Sequence, residues 1–331
     1  MRLILIYLLL FLSVTATAQF ATSGNKRFLL KDGKPFFWLG DTAWELFHRL
    51  SREEADEYLR RRSEQGFTVV QAVVLAEMDG MRVPNANGDI PFIDLDLSKP
   101  NEKFFEHVDY IVDRAAFYNI TIAMLPTWGD KVFKDRWGMG PEIFQPKNAA
   151  AYAEWLASRY KSKQNIIWIL GGDRNPRNDA DVEIWRAVGA AIMKATNNLA
   201  MISFHPQPSE LGSAGWFHKD GWLGFNMFQT GHCRETPVYD KIQAAYRLQP
   251  IKPVMDAEPI YEDHPVCFNA NDLGTSNAYD VRRSAYLDLF AGSIAGVRNP
   301  KAHGNVQITK ERAVHFLFLA SLLFFKLEDP V

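Results

Sequence analysis

Only two cysteines occur in the 331 residues, Cys233 and Cys267. Neither belongs to a Cys-x-x-Cys pair, and His232 beside Cys233 brings two ligand types where zinc needs three or four converging groups. The two cysteines therefore form one intrachain bridge or remain free buried thiols. An excess of charge of either sign is also missing. Lys and Arg number 37 against 39 Asp and Glu, a formal net charge of -2, and no basic stripe is present, which excludes nucleic acid as a partner. No Gly-x-Ser-x-Gly elbow, His-Glu-x-x-His helix or phosphate-binding Gly-Lys-Ser occurs, so esterase, zinc-peptidase and nucleotidase chemistry lack their supports.

Long apolar runs are scarce too. The N-terminal one, residues 3–14, follows Arg2 and precedes Ala16-Thr17-Ala18. It is too short to span a bilayer and has the order of a signal peptide. The expectation is removal of residues 1–18, a secreted or periplasmic mature chain starting at Gln19, and no stable membrane insertion afterwards. No cysteine lies near the cleavage site to carry a lipid anchor.

What remains is 47% hydrophobic and 23% charged, enough for a large core, without a change of composition that marks a domain boundary. Residues 19–331 are thus expected to form one domain. Short apolar runs alternate with charged segments of helical spacing. Strands are expected over residues 36–40, 67–75, 120–125, 165–170, 201–204, 224–228, 253–257 and 293–297. Helices are expected over 101–118, 148–160, 181–196, 236–246 and 279–290, and another is expected to start at Ser51, with Glu54 completing a capping box, and to stop at Gly66. The strands are continuously apolar, as burial on both faces of a parallel sheet requires. Gly40-Asp41-Thr42-Ala43 lacks the glycine-rich turn of an open nucleotide-binding sheet. The pattern is that of a (β/α)₈ TIM barrel.

In such a barrel, chemistry gathers at the C-terminal ends of the strands. Here those ends carry Asp41, Trp44, Glu77, Trp128, Asp173, Arg174, Asn175, His205, Gln229, His232 and Glu258. Indoles stack on sugar faces, while carboxylates and amides bond sugar hydroxyls. Asp173 follows strand four and Glu258 follows strand seven, on opposite sides of a barrel. Glycosidic cleavage needs such a pair: one carboxyl protonates the leaving oxygen, and the second attacks or activates water. Arg174 beside Asp173 leaves open a purely structural ion pair. His205 and His232 orient the nucleophile, bond a substrate hydroxyl, or make only a structural hydrogen bond within a loop. Trp155, Trp168 and Trp185 read as helix-to-barrel packing.

Phe37-Trp38-Leu39-Gly40-Asp41-Thr42-Ala43-Trp44, Ile169-Leu170-Gly171-Gly172-Asp173-Arg174-Asn175, Gln229-Thr230-Gly231-His232 and Glu258-Pro259 together resemble the apiosidase-like family of bacterial glycoside hydrolases. The resemblance covers roughly residues 25–297. It implies a (β/α)₈ catalytic domain and retaining hydrolysis, with Asp173 as acid/base and Glu258 as nucleophile. It further implies a plant cell-wall, pectin-type polysaccharide or oligosaccharide as substrate and requires neither metal nor organic cofactor. The alternatives are an inverting glycosidase and a non-catalytic carbohydrate-binding barrel. After about Val297 the chain departs from the family. Gly296 to Gly304 reads GVRNPKAHG where members carry a Gly-His-x-Tyr-Gly-like segment, and residues 313–325 are dominated by Phe and Leu. The expectation there is truncation, a frame shift or a naturally short variant.

Overall fold

The structure is a computed structural model, which describes residues 20–297. Eight parallel strands form one sheet: β1 Trp38–Thr42, β2 Val69–Leu75, β3 Thr121–Thr127, β4 Ile166–Gly171, β5 Ile202–His205, β6 Asn226–Phe228, β7 Val254–Asp256 and β8 Ala295–Val297. Each pairs with its sequence neighbour from β1 through β5 and from β6 through β8, and β8 pairs with β1. Between β5 and β6, Gly224 N–H donates to the Ile202 carbonyl at 2.8 Å and Ser203 Oγ to the Phe225 carbonyl at 2.7 Å. These two bonds close the ring.

Alternation along each strand divides the core into two layers. Val69 and Val73 of β2, Ala123 and Leu125 of β3, and Ile167 and Ile169 of β4 fill the barrel interior with Met227 and Met255. Val70, Ala72, Val74, Ile122, Met124, Trp168 and Leu170 face outward onto the helices. Trp185 packs in that outer layer and Trp155 against it. Because both faces of a strand such as β2 are covered, all seven of its residues are buried.

The principal helices are α1 Arg52–Glu64, α2 Glu102–Phe117, α3 Pro146–Tyr160, α4 Asp179–Ala195, α5 Val238–Tyr246 and α6 Ala278–Phe290. The expected capping box of α1 is present: Ser51 Oγ accepts from Glu54 N–H at 3.2 Å, and Glu54 accepts from Ser51 N–H at 2.9 Å. In α3, Asn148 is not the start but the third helical residue. Its carboxamide accepts from Gln145 N–H while Pro146 occupies the first turn, where a missing N–H costs nothing.

The first strand also begins later than expected. Lys34–Phe36 belongs to a small antiparallel meander with Phe20–Thr22 and Leu29–Lys31. Asp32 and Gly33 both have positive φ, 53° and 73°, so Asp-Gly makes a tight hairpin before the barrel starts at Trp38. Phe20, Leu29 and Phe36 extend the interior cluster from this meander.

Among the described residues no helix is long and apolar enough to cross a membrane. The expected signal peptide and the segment after Val297 lie outside the described residues.

Candidate active site

The turn after β4 decides where Asp173 stands. Gly171, Gly172 and Asp173 have φ of 83°, 106° and 51°, a left-handed run that reverses the chain over the barrel mouth. A Cβ at Gly171 would lie 2.3 Å from the His205 carbonyl oxygen, and one at Gly172 would lie 2.8 Å from the Trp128 ring. Only glycine fits at either position. Gly172 N–H donates to the His205 carbonyl at 2.9 Å, and its own carbonyl accepts from Gly129 N–H at 3.0 Å. The turn is thereby tied to the ends of both neighbouring strands. Asp173 tolerates the left-handed region better than a branched residue would.

Arg174 is buried and directs its guanidinium mainly at backbone carbonyls: Phe133 at 3.0 Å, Lys134 at 3.0 Å and Asp173 at 2.6 Å. Its approach to the Asp173 carboxylate is only 3.5 Å. The ion pair that the sequence left open is therefore the lesser part of what Arg174 does.

Glu258 follows β7 on the opposite side. Asp256, within β7, accepts from Thr230 N–H at 3.2 Å and from Thr230 Oγ1 at 2.5 Å, which joins the turns after β6 and β7. Gly231 N–H donates to the Glu258 carbonyl at 3.0 Å, and Gln71 Nε2 to the Ala257 carbonyl at 2.9 Å. The Glu258 side chain is buried between two imidazoles. His205 Nε2 lies 3.3 Å from one carboxylate oxygen, and His232 Nε2 lies 3.2 Å from the other. Cys233 and Cys267 are joined in a disulfide, so of the two states open from sequence the bridge is the one present. Cys267 N–H also donates to the His232 carbonyl at 2.9 Å.

These surroundings push the two acids in opposite directions. Burial raises the Asp173 carboxyl, and the negative charge of Glu258 raises it further. His205, Arg174 and a hydrogen bond from Gln229 oppose the rise, and the balance is about 6. Burial also disfavours ionisation of Glu258, but its contacts with His205 and then His232 outweigh that and hold it well below the usual carboxylate range. Glu77, at the end of β2, is a third acid on this rim. Burial and then the Asp173 charge raise it to about 7, against Arg174.

Trp44 and Trp128 line the same mouth, with ring centroids 5.1 Å apart, and Trp44 stands edge-on to His205 at 5.3 Å. Asn175 Oδ1 and Gln229 Oε1 are buried without a hydrogen-bond partner among the described residues, which suits an incoming hydroxyl. Asp41 is elsewhere. Its carboxylate accepts from Tyr58 Oη at 2.6 Å and from Arg62, both on α1. It fastens β1 to a helix, away from the rim residues. The other sequence candidates, Trp44, Glu77, Trp128, Asp173, Arg174, Asn175, His205, Gln229, His232 and Glu258, gather at the mouth.

Sequence reading passed over Tyr261 and His264. Their rings lie 4.6 and 4.2 Å from that of His232. Burial and the Glu258 charge keep the Tyr261 phenol protonated well beyond its ordinary range. Both residues sit in an irregular segment after Glu258-Pro259, where periodicity carries no signal. Among the described residues, no group of three or more His, Cys, Asp or Glu is disposed to hold a metal ion.

The model of the apiosidase-like catalytic domain matches residues 23–310. The chain belongs to the apiosidase-like family. The match runs past Val297, so it includes part of the segment in which the family's motif is not recognisable. Among solved structures, a glycoside hydrolase family 5 protein from Bacteroides vulgatus is 34% identical, with a TM-score of 0.76 over 85% of this chain and 62% of that one. The chain thus spans less than two thirds of that relative's length. A second glycoside hydrolase is 30% identical, with a TM-score of 0.77 over 95% of this chain and 75% of that one. An endo-1,4-beta-D-mannanase from Thermotoga petrophila shares the fold at 15% identity, with a TM-score of 0.58 over 84% of this chain and 92% of that one. Comparison with curated proteins finds no match.

Proposed function

We propose that this apiosidase-like chain is a secreted, retaining glycoside hydrolase acting on pectin-type oligosaccharides of the plant cell wall. One observation carries the mechanism: two acids at opposite strand ends have their proton affinities driven apart, Asp173 up to about 6 and Glu258 down. A glycosidase needs one carboxyl that holds a proton and one that does not.

Glu258, ionised between His205 and His232, attacks the anomeric carbon. Asp173 gives its proton to the glycosidic oxygen as the bond to the leaving sugar breaks. The product of this first step is a glycosyl ester on Glu258. Water then attacks the same carbon, Asp173 takes the water's proton, and the ester bond to Glu258 breaks. The configuration at the anomeric carbon is restored after two inversions. Trp44 and Trp128 offer stacking faces for the sugar ring, and Asn175 and Gln229 offer acceptors for its hydroxyls.

The test is turnover of apiose-bearing pectic oligosaccharides by the wild type and by Glu258→Ala. The expected loss is on the order of 10⁴-fold or more, with the fold unchanged by circular dichroism. Added azide should restore part of the activity as a glycosyl azide of inverted configuration. Full activity in the variant would remove Glu258 from the mechanism. Inverted product from the wild type, read by NMR during turnover, would establish the single-displacement alternative instead.

A further inference from the structure

The loop after β3 carries an exposed tryptophan that nothing in the hydrolytic scheme uses. Trp137 sits at a turn tip and is 51% exposed. The Arg174 guanidinium lies 4.8 Å from its ring centroid, against one face. Arg174 is itself buried and bonded to the Asp173 carbonyl and to the carbonyls of Phe133 and Lys134. A short, rigid path therefore leads from the proposed acid/base to the indole.

The loop is held in place from below. Asp130 and Lys131 are both fully buried and paired at 2.6 Å. The second Asp130 oxygen accepts from Met139 N–H at 3.1 Å and from Gly140 N–H at 2.8 Å. Gly138 N–H donates to the Lys134 carbonyl at 3.1 Å. A Cβ at Gly138 would lie 2.7 Å from Arg174 Nη2, so the backbone beside Trp137 is pressed onto the guanidinium. If the indole served only to cover Arg174, burying both faces would be the better arrangement. Instead, a preorganised loop presents a flat apolar surface to solvent, which is how rigid aromatic platforms bind sugar rings.

The side on which it stands identifies the ring. The acid that protonates the glycosidic oxygen lies toward the leaving group, and Trp137 is linked to Asp173 through Arg174. Glu258 and His232 stand across the mouth, after β7 and β6. We infer that Trp137 is the stacking platform for the leaving-group sugar, a subsite for the part of the oligosaccharide beyond the scissile bond. This rests on the hydrolytic reading, and it adds that the leaving sugar is itself recognised. Remote contacts of this kind strengthen the transition state only when the substrate carries the group they hold.

The experiment compares wild type, Trp137→Ala and Trp137→Tyr on two substrates with the same apiosyl unit. One is a pectic oligosaccharide, which expels a sugar; the other is apiosyl fluoride, which expels fluoride. Trp137→Ala should lower kcat/KM about tenfold or more on the oligosaccharide and less than twofold on the fluoride, and Trp137→Tyr should recover most of the loss. Equal effects on both substrates, or none on the oligosaccharide, would overturn the subsite. Calorimetry on the Glu258→Gln protein with a panel of plant cell-wall oligosaccharides separates this from the hydrolytic reading. Tight binding that Trp137→Ala weakens at least tenfold supports the platform even where no turnover is seen. Binding indifferent to Trp137, or no oligosaccharide bound at all, overturns it.

Discussion

The two flanks of the barrel mouth treat a carboxylate in opposite ways. On the β4 flank, Asp173 faces acids: Glu258 across the mouth and Glu77 beside it, with the Arg174 guanidinium turned largely toward backbone. On the β7 flank, Glu258 is buried at least as deeply, yet each of its oxygens meets an imidazole. Burial pushes both acids the same way. The sign of the neighbouring groups separates them, and in the proposed mechanism that separation is the working difference between a proton donor and a nucleophile.

Removing the proposed proton donor breaks the comparison most severely. Asp173→Asn should lower kcat/KM on a glycoside that needs protonation by about 10²- to 10⁴-fold, and much less on apiosyl fluoride. In the wild type, activity should fall as pH rises through about 6, where Asp173 loses its proton. That limb should vanish in the variant. The same change should make the fold more stable at neutral pH. A carboxyl with a raised folded pKa binds a proton that the unfolded chain has already released. Stability therefore declines between the unfolded value near 3.8 and about 6, and the deficit is complete above that. The Asp173 side chain is 20% exposed, so the gain in the variant is put at about 1–2 kcal/mol rather than the full ~3 that the shift alone implies. A denaturant midpoint at pH 7.5 no higher than wild type would contradict this account.

Taking the imidazoles from Glu258 should have a somewhat smaller effect. Either His205→Ala or His232→Ala leaves one carboxylate oxygen buried without its partner. The expected loss is about 10²-fold in kcat/KM. More telling, the acidic limb of the pH profile should move upward, because burial then acts on Glu258 with less opposition. An acidic limb unmoved in both variants would mean that another group holds Glu258 ionised.

The disulfide belongs to the β7 flank, where it joins the residue after His232 to the loop at Cys267 across 34 positions. Replacing both cysteines by serine should cost about 3–4 kcal/mol of stability through the opened loop. It should also cost about tenfold in kcat/KM, less than the 10²-fold expected for a full ångström of misplacement. Melting temperature and initial rates measured side by side test both parts.

Much of this contrast was legible in the sequence. An apolar run followed by Gly-Gly-Asp, and another followed by Glu-Pro, place acids at strand ends whatever the details of packing. Asp41 was misread because strand-end position alone does not tell which way a side chain faces. Its register partner is Val70, an outward residue, so Asp41 points at α1. Trp38 packs inward and Asp41 lies three positions on, so the period of two already indicated this. Tyr261, His264 and Trp137 were out of reach for another reason. They lie in loops, where position follows from hydrogen bonds such as those of Asp130 and not from a repeating pattern.

The smallest expected effect concerns Glu77, and it tests whether the β4 flank is a coupled set of acids. Glu77 is held at about 7 by burial first and by the Asp173 charge second. At pH 6 it is mostly protonated and therefore neutral, a state that an amide reproduces. Glu77→Gln should therefore change kcat/KM at pH 6 by less than about threefold. The ionisation near 7 should disappear from the pH dependence of oligosaccharide binding, measured on the Glu258→Gln background. Conversely, Asp173→Asn should lower the Glu77 value from about 7, because the nearby negative charge is gone while burial remains. Carboxyl carbon NMR of the glutamate-labelled protein reads that shift directly. A Glu77 titration that stays at 7 after Asp173 is neutralised would mean that the two acids do not sense each other, and that burial alone sets the proton affinity of this flank.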